Sequence, residues 1–135
     1  MSAAGGETDL SILLGSLEPE LHDGMFVFCT SEKPQSPELV AAAIALFHER
    51  EGTTLVLPAA RASAAGIVWS DPMAWISLTV HSSLNAVGLT ASVAKCLGDA
   101  RIPCNVIAAF FHDHLFVPFD QAQDAIVALR RLSQN

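Results

Sequence analysis

Two short stretches carry the residue types and spacings that could do chemistry. The first, His81-Ser82-Ser83-Leu84-Asn85-Ala86-Val87-Gly88-Leu89-Thr90, leads from an alternating pattern into a helical one. Main-chain N–H groups at a helix start have no partner within the helix, so they form an anion site suited to a carboxylate. Gly88 would let a ligand come close to the backbone. The same residues admit a plainer reading, in which Ser83 or Asn85 simply caps the helix. The second stretch is His112-Asp113-His114. In an extended strand its two imidazoles share a face, and His81 could supply a third, which is the pattern of a metal-dependent site. A metal centre needs three or four converging ligands and only this pair is visible, so a polar hairpin turn is the simpler reading and no metal is expected.

No catalytic residue is expected. His81 stands beside Ser82 and Ser83, but neighbours on a strand point to opposite faces. Neither a G-x-S-x-G elbow nor a phosphate- or dinucleotide-binding glycine fingerprint is present. Cys29 and Cys104 lie in apolar strand contexts, where a thiol is usually an inert packing group. The chain therefore reads as a non-enzyme that needs no cofactor.

These stretches are positioned by elements with clear punctuation. Ile76, Leu78 and Val80 alternate with Trp75, Ser77, Thr79 and His81, which predicts a strand. Leu89, Val93, Cys96, Leu97 and Ala100 follow at helical spacing. Residues 102–111 are apolar on both faces and predict a strand buried on both sides. The turn is placed at His112-Asp113-His114, the return strand at 115–119, and a last helix after Asp120 and Gln123, which are spaced as a capping box. In the first half, the apolar run at 10–17, interrupted by Gly15, predicts a bent strand, and Met25 to Cys29 a buried one. Ser36-Pro37 starts a helix carrying Leu39, Val40, Ala43, Ile44 and Phe47 and closed by Gly52. A strand at 53–57, a short helix at 59–65 ending on Gly66, and a strand fragment at 67–69 complete that half. Each half thus holds strand–helix–strand material, so the fold class is α+β with two similar units, divided as 1–66 and 67–135.

Composition narrows the function. The 135 residues carry a net charge of -7, with seven Lys and Arg together. That balance opposes nucleic acid, whose binding needs clustered cations, and equally opposes an anionic membrane surface. Hydrophobic residues make up 51% of the chain, yet no run approaches the roughly 20 apolar residues of a membrane span. The surplus apolar surface points to burial between units or between subunits, hence a homodimer. Three cysteines without a C-x-x-C pair, and an opening stretch lacking the basic and apolar regions of a signal peptide, imply a reducing cytoplasm.

Val87-Gly88-Leu89-Thr90, a helix, Ile102-Pro103-Cys104-Asn105-Val106-Ile107, a hairpin, and Leu115-Phe116-Val117-Pro118 together resemble an ACT domain. Thr53 to Pro58, Leu78 to Ser83 and His112 to Pro118 resemble the recurrent segments of small stand-alone bacterial proteins built of two ACT-like units. The same segment order resembles parts of the CASTOR-type arginine sensors. The resemblance implies ferredoxin-like βαββαβ units, two in tandem sharing a packed interface. It implies a non-catalytic regulatory protein that binds a small amino acid or related metabolite between ACT units. The site it implies comprises His81, Ser82, Ser83, Val87, Gly88, Leu89, Thr90, Asn105 and Asp113. Gly88 and Thr90 match the helix start that contacts the amino acid, and Asp113 an acidic hairpin position facing the basic end of the ligand. The histidines flanking Asp113 depart from the arginine-sensing pattern. The alternatives are a ligand-free interaction scaffold and a metal-dependent enzyme using His112 and His114.

Overall fold

A computed structural model describes residues 5–134. In chain order the elements are α1 (Leu10–Ser16), β1 (Pro19–Leu21), β2 (Phe26–Ser31), α2 (Pro37–Ala42), β3 (Ala45–His48), β4 (Thr53–Pro58), α3 (Ala59–Ala65), β5 (Val68–Trp69), β6 (Met73–Leu78), α4 (Leu89–Asp99), β7 (Asn105–Ala108), β8 (Asp113–Pro118), a 3-10 turn (Phe119–Gln121) and α5 (Ala122–Gln134). They sort into two units. Gly24–Met73 makes one, and the flanking stretches, up to Asp23 and from Ala74, make the other. The fold is α+β, with antiparallel strand pairs and helices in the βαββαβ pattern.

The 24–73 unit runs β2-α2-β3-β4-α3-β5, and its strands lie in the order β3-β4-β2-β5. Val27, Cys29, Leu55 and Leu57 alternate inward and meet Leu39 of α2 and Ala62 of α3 in a small buried core. The helix expected from Ser36 to Gly52 is much shorter. Ser36 does cap it, accepting from the Leu39 N–H, but Ala43 is already extended and Ile44 N–H bonds the Val56 carbonyl. Residues 45–48 join the sheet as β3, because a β partner in β4 outcompetes continued helix. Gly52 belongs to the β3–β4 hairpin, where a Cβ would stand 2.8 Å from the Ser31 carbonyl oxygen.

The second unit runs β6-α4-β7-β8-α5 and takes its fourth strand from the other end of the chain. β1 pairs antiparallel with β6, with Pro19 opposite Leu78 and Leu21 opposite Ile76, giving the order β1-β6-β8-β7. The polypeptide therefore does not divide at a single point. Against the sequence-based division into 1–66 and 67–135, β5 groups with 24–73, while α1 and β1 group with the C-terminal elements. Ile76, Leu78, Leu115 and Val117 on one sheet face, Leu89, Val93 and Leu97 on α4, Ala125, Ile126 and Leu129 on α5, and Leu13 and Leu17 from the N-terminal stretch form the larger core.

Residues 10–16 are a helix rather than a bent strand. Asp9 caps it, accepting from the Ile12 N–H, and Leu10, Leu13, Leu14 and Leu17 bring one stripe onto the core. The spacing 10, 13, 14, 17 is helical, and Gly15 does not break it. The strand expected over 102–111 is also shorter. β7 spans Asn105–Ala108 only, at the end of its sheet, and both terminal residues are exposed. It is not buried on both faces.

Candidate functional site

The strand β6 stops at Leu78, and the next residues form a tight loop. Val80 N–H bonds the Leu78 carbonyl and Ser82 N–H bonds the Val80 carbonyl. Glu7 clamps this loop from outside: its N–H donates to the His81 carbonyl, and its own carbonyl accepts from Ser83 N–H. The fit is close enough that a Cβ at Gly6 would overlap the His81 carbonyl oxygen. Ser83 Oγ then accepts from Asn85 N–H, which turns the chain toward α4.

The helix start is not capped by Ser83 or Asn85. Gly88 occupies the N-cap position at φ +102, and no side chain caps it. The first intrahelical bond runs from Ser92 N–H to the Gly88 carbonyl, so the N–H groups of Leu89 and Thr90 have no partner in the helix. The role expected for Gly88 changes accordingly. A Cβ there would sit 3.0 Å from a Leu10 methyl, so this side of Gly88 is filled by α1.

The turn between β7 and β8 is one step earlier than expected. Ala109 N–H bonds the His112 carbonyl, Phe110 and Phe111 form the tip, and Asp113 already pairs with Ala108 inside the ladder. Asp113 shares a strand face with Leu115 and Val117, the helix-packed face. It is only 7% exposed and accepts no side-chain hydrogen bond from any described residue. Burial pushes its carboxyl above the ordinary aspartate range, outweighing the opposite pull of His112.

These features meet in one small cavity of about 60 Å³, lined by Ser82, Ser83, Leu84, Ala86, Leu89, Thr90, Ala108 and Asp113. Of the residues expected at the site, Ser82, Ser83, Leu89, Thr90 and Asp113 line it. Gly88 adjoins it as the N-cap. His81, Val87 and Asn105 do not line it. The His81 ring lies 5.4 Å from that of Phe111, Val87 is 82% exposed, and Asn105 is spent at the far end of β7, donating from Nδ2 to the Phe116 carbonyl. Leu84, Ala86 and Ala108 were not anticipated, since nothing in their residue type marks them as lining.

The opposite face of the same sheet carries a polar chain that the sequence did not advertise. Trp75 Nε1 donates to His114 Nδ1 at 3.0 Å, Ser77 Oγ lies 2.8 Å from the same nitrogen, and His22 Nε2 lies 2.7 Å from Ser77 Oγ. An indole N–H only donates, so His114 Nδ1 must carry a lone pair and its proton resides on Nε2. Ser77 then donates to His114 and accepts from His22 Nε2–H. The His22 ring stacks on Trp75 at 3.5 Å. Burial, with His112 and His22 nearby, holds the His114 imidazole below its ordinary range. Among the described residues no group of three or more His, Cys, Asp or Glu side chains could hold a metal ion, so His112 and His114 do not acquire a third ligand in His81.

Two family models match in tandem, both described as ACT domain, one over residues 5–74 and the other over 72–131. The chain belongs to the ACT domain family. No curated protein matches it. A solved protein of unknown function from Vibrio cholerae, described as a possible transport protein, is 47% identical over 92% of this chain and 95% of its own, with a TM-score of 0.82. An Agobacterium tumefaciens protein is similar in fold at 16% identity, covering 87% of this chain and 89% of its own at a TM-score of 0.70. The regulatory subunit of aspartate kinase from Thermus flavus is similar at 11% identity, covering 85% and 96% at a TM-score of 0.65. Both matched stretches are ACT domains, and no helix of the described residues is long and apolar enough to cross a membrane.

Proposed function

We propose that the C-terminal ACT unit binds the head group of an amino acid, and that the protein is a non-catalytic regulator acting in the cytoplasm as a homodimer. The observation that carries this reading is the pairing of opposite electrostatic demands in one cavity. The start of α4, which no described side chain caps, favours an anion, and Asp113, 7% exposed and with no hydrogen-bond partner among the described residues, favours a cation. An α-amino acid carries both groups on one carbon, its carboxylate for the N–H groups of Leu89 and Thr90 and its ammonium for Asp113. Ser82 and Ser83 supply hydroxyls that can adapt to either group.

A second copy supplies the other wall of the site and makes the ligand a link between chains. The free edge of β7 and the exposed Phe110 and Phe111 beside it support that assembly. Ligand binding then shifts the population between arrangements of the dimer by the difference in its affinity for each. The aspartate kinase relatives named as regulatory subunits support a regulatory role, and three free cysteines suit a reducing compartment.

Thermal-shift titration with the twenty amino acids tests the reading. A binder raises Tm progressively as free ligand exceeds Kd. No shift with any amino acid at millimolar concentration sinks the proposal and favours a ligand-free scaffold. Light scattering at micromolar concentration tests the dimer, against which a monomer mass would count.

A further inference from the structure

The cavity is too small for any amino acid larger than glycine. By the volume that one water needs, about 60 Å³ accommodates roughly four to six water-sized groups. That is the size of an ammonium, a carboxylate and the carbon between them. Because Asp113 and the start of α4 line this same small space, the charged ends they accept must be adjacent on the ligand. The side chain is then left outside, at the mouth.

Exposed apolar side chains lie on or close in sequence to the lining residues. Leu84 lines the cavity yet is 65% exposed, so part of it remains available to a visitor. The hairpin between the lining residues Ala108 and Asp113 carries Phe110 and Phe111, which are 52% and 60% exposed. The two rings meet edge to face at 4.9 Å. The His81 ring, next to lining residue Ser82, stands 5.4 Å from Phe111 and 6.4 Å from Phe110. Among the described residues Asp113 is the only carboxylate lining the cavity, and the head-group reading assigns it to the ammonium.

We infer that the ligand is an amino acid with an apolar side chain, bound head-first, its side chain resting on Leu84, Phe110 and Phe111. This rests on the head-group reading above and adds the specificity. It ranks leucine and phenylalanine above alanine, whose methyl group reaches little of this surface.

Calorimetric titration of the full chain with free alanine, leucine, phenylalanine, arginine and lysine tests it. Half-burying a large apolar side chain should tighten binding of leucine or phenylalanine over alanine about tenfold. In a Leu84→Ser/Phe111→Ser variant, both changes being at exposed positions, that ratio should fall to near parity. Equal affinity for alanine and leucine in the natural protein overturns the specificity and leaves the head-group reading standing. So does tightest binding by arginine or lysine. A ratio that survives in the double variant overturns the assignment of the mouth residues. Binding of none of the five overturns the head-group reading as well.

Discussion

Trp75 and His114 are joined by a hydrogen bond whose direction can be only one way, indole N–H to Nδ1, at 3.0 Å. Protonating His114 would place a second donor against that N–H and against the Ser77 hydroxyl. Burial first, and then the neighbouring His112 and His22, hold the imidazole of the folded protein below the unfolded chain's value of about 6.5. With the folded pKa depressed, the unfolded state takes up the proton first as pH falls. Stability should be level above about pH 6.5 and decline as the solution is acidified from there toward the folded pKa. Urea unfolding at pH 8 and pH 5.5 measures the slope. His114→Gln keeps an acceptor and removes the titration, so its slope over this window should be smaller. An unchanged slope would falsify the assignment.

Asp113, one residue away, has the opposite sign. Its folded pKa is raised, so the folded state takes up the proton first, and stability rises as pH falls from the folded pKa toward about 3.9. At neutral pH this carboxylate is charged, largely removed from water, and without a hydrogen-bond partner among the described residues. Asp113→Asn should then stabilise the ligand-free protein by about 1 kcal/mol at pH 7 and abolish amino-acid binding. A variant that is destabilised, or that still binds, would contradict the role given to this carboxylate.

Gly88 is a structural requirement before it is a binding one. At φ +102, with a Leu10 methyl 3.0 Å from where a Cβ would stand, Gly88→Ala should cost about 1–2 kcal/mol in denaturant unfolding. The cost should couple to Leu10 in a double-mutant cycle with Leu10→Ala, because shortening Leu10 relieves the collision but leaves the backbone strain. Purely additive effects would mean that α1 does not press on this turn.

The pairing of β1 with β6 has a direct test in shortened chains. Residues 74–135 alone lack α1 and β1, which leaves one side of β6 unpaired and removes Leu13 and Leu17 from the core. This fragment should show no cooperative unfolding, whereas adding a peptide of residues 5–23 should restore it. A well-folded, cooperatively melting 74–135 fragment would show that β1 is dispensable. Within the full chain, Leu13→Ala should cost about 2–5 kcal/mol, as expected for a fully buried leucine.

Much of this architecture was legible from local signals, and the exceptions have specific causes. Ala59–Ala65 ending on left-handed Gly66 was read from its alanine content and closing glycine, and Leu89, Val93 and Leu97 on one helix face from spacing. Residues 43–48 were not, because Ala43, Ile44 and Phe47 continue a helical spacing and only pairing with β4 makes them a strand. Residues 10–17 carry the helical stripe openly, but Gly15 drew attention from it. Ser82, Ser83, Leu89, Thr90 and Asp113, marked from the helix start and the family resemblance, line one cavity, whereas His81, Val87 and Asn105, marked with them, do not. The chain Trp75–His114–Ser77–His22 was hidden, since His22 reaches β6 only through β1, and no local pattern announces a partner so distant in sequence.

That last pairing has a consequence for how the protein is made. Pro19–Leu21 leaves the ribosome long before Ile76 and Leu78, the residues it must find. The 24–73 unit, by contrast, emerges with all four of its strands contiguous. The first-made strand must therefore wait with an open edge while a complete module matures behind it, and the nascent chain is most prone to wrong pairing in that interval. A gene cut between the halves would part this strand from its sheet, so the C-terminal elements can be inherited or fused intact only with the N-terminal stretch that completes them.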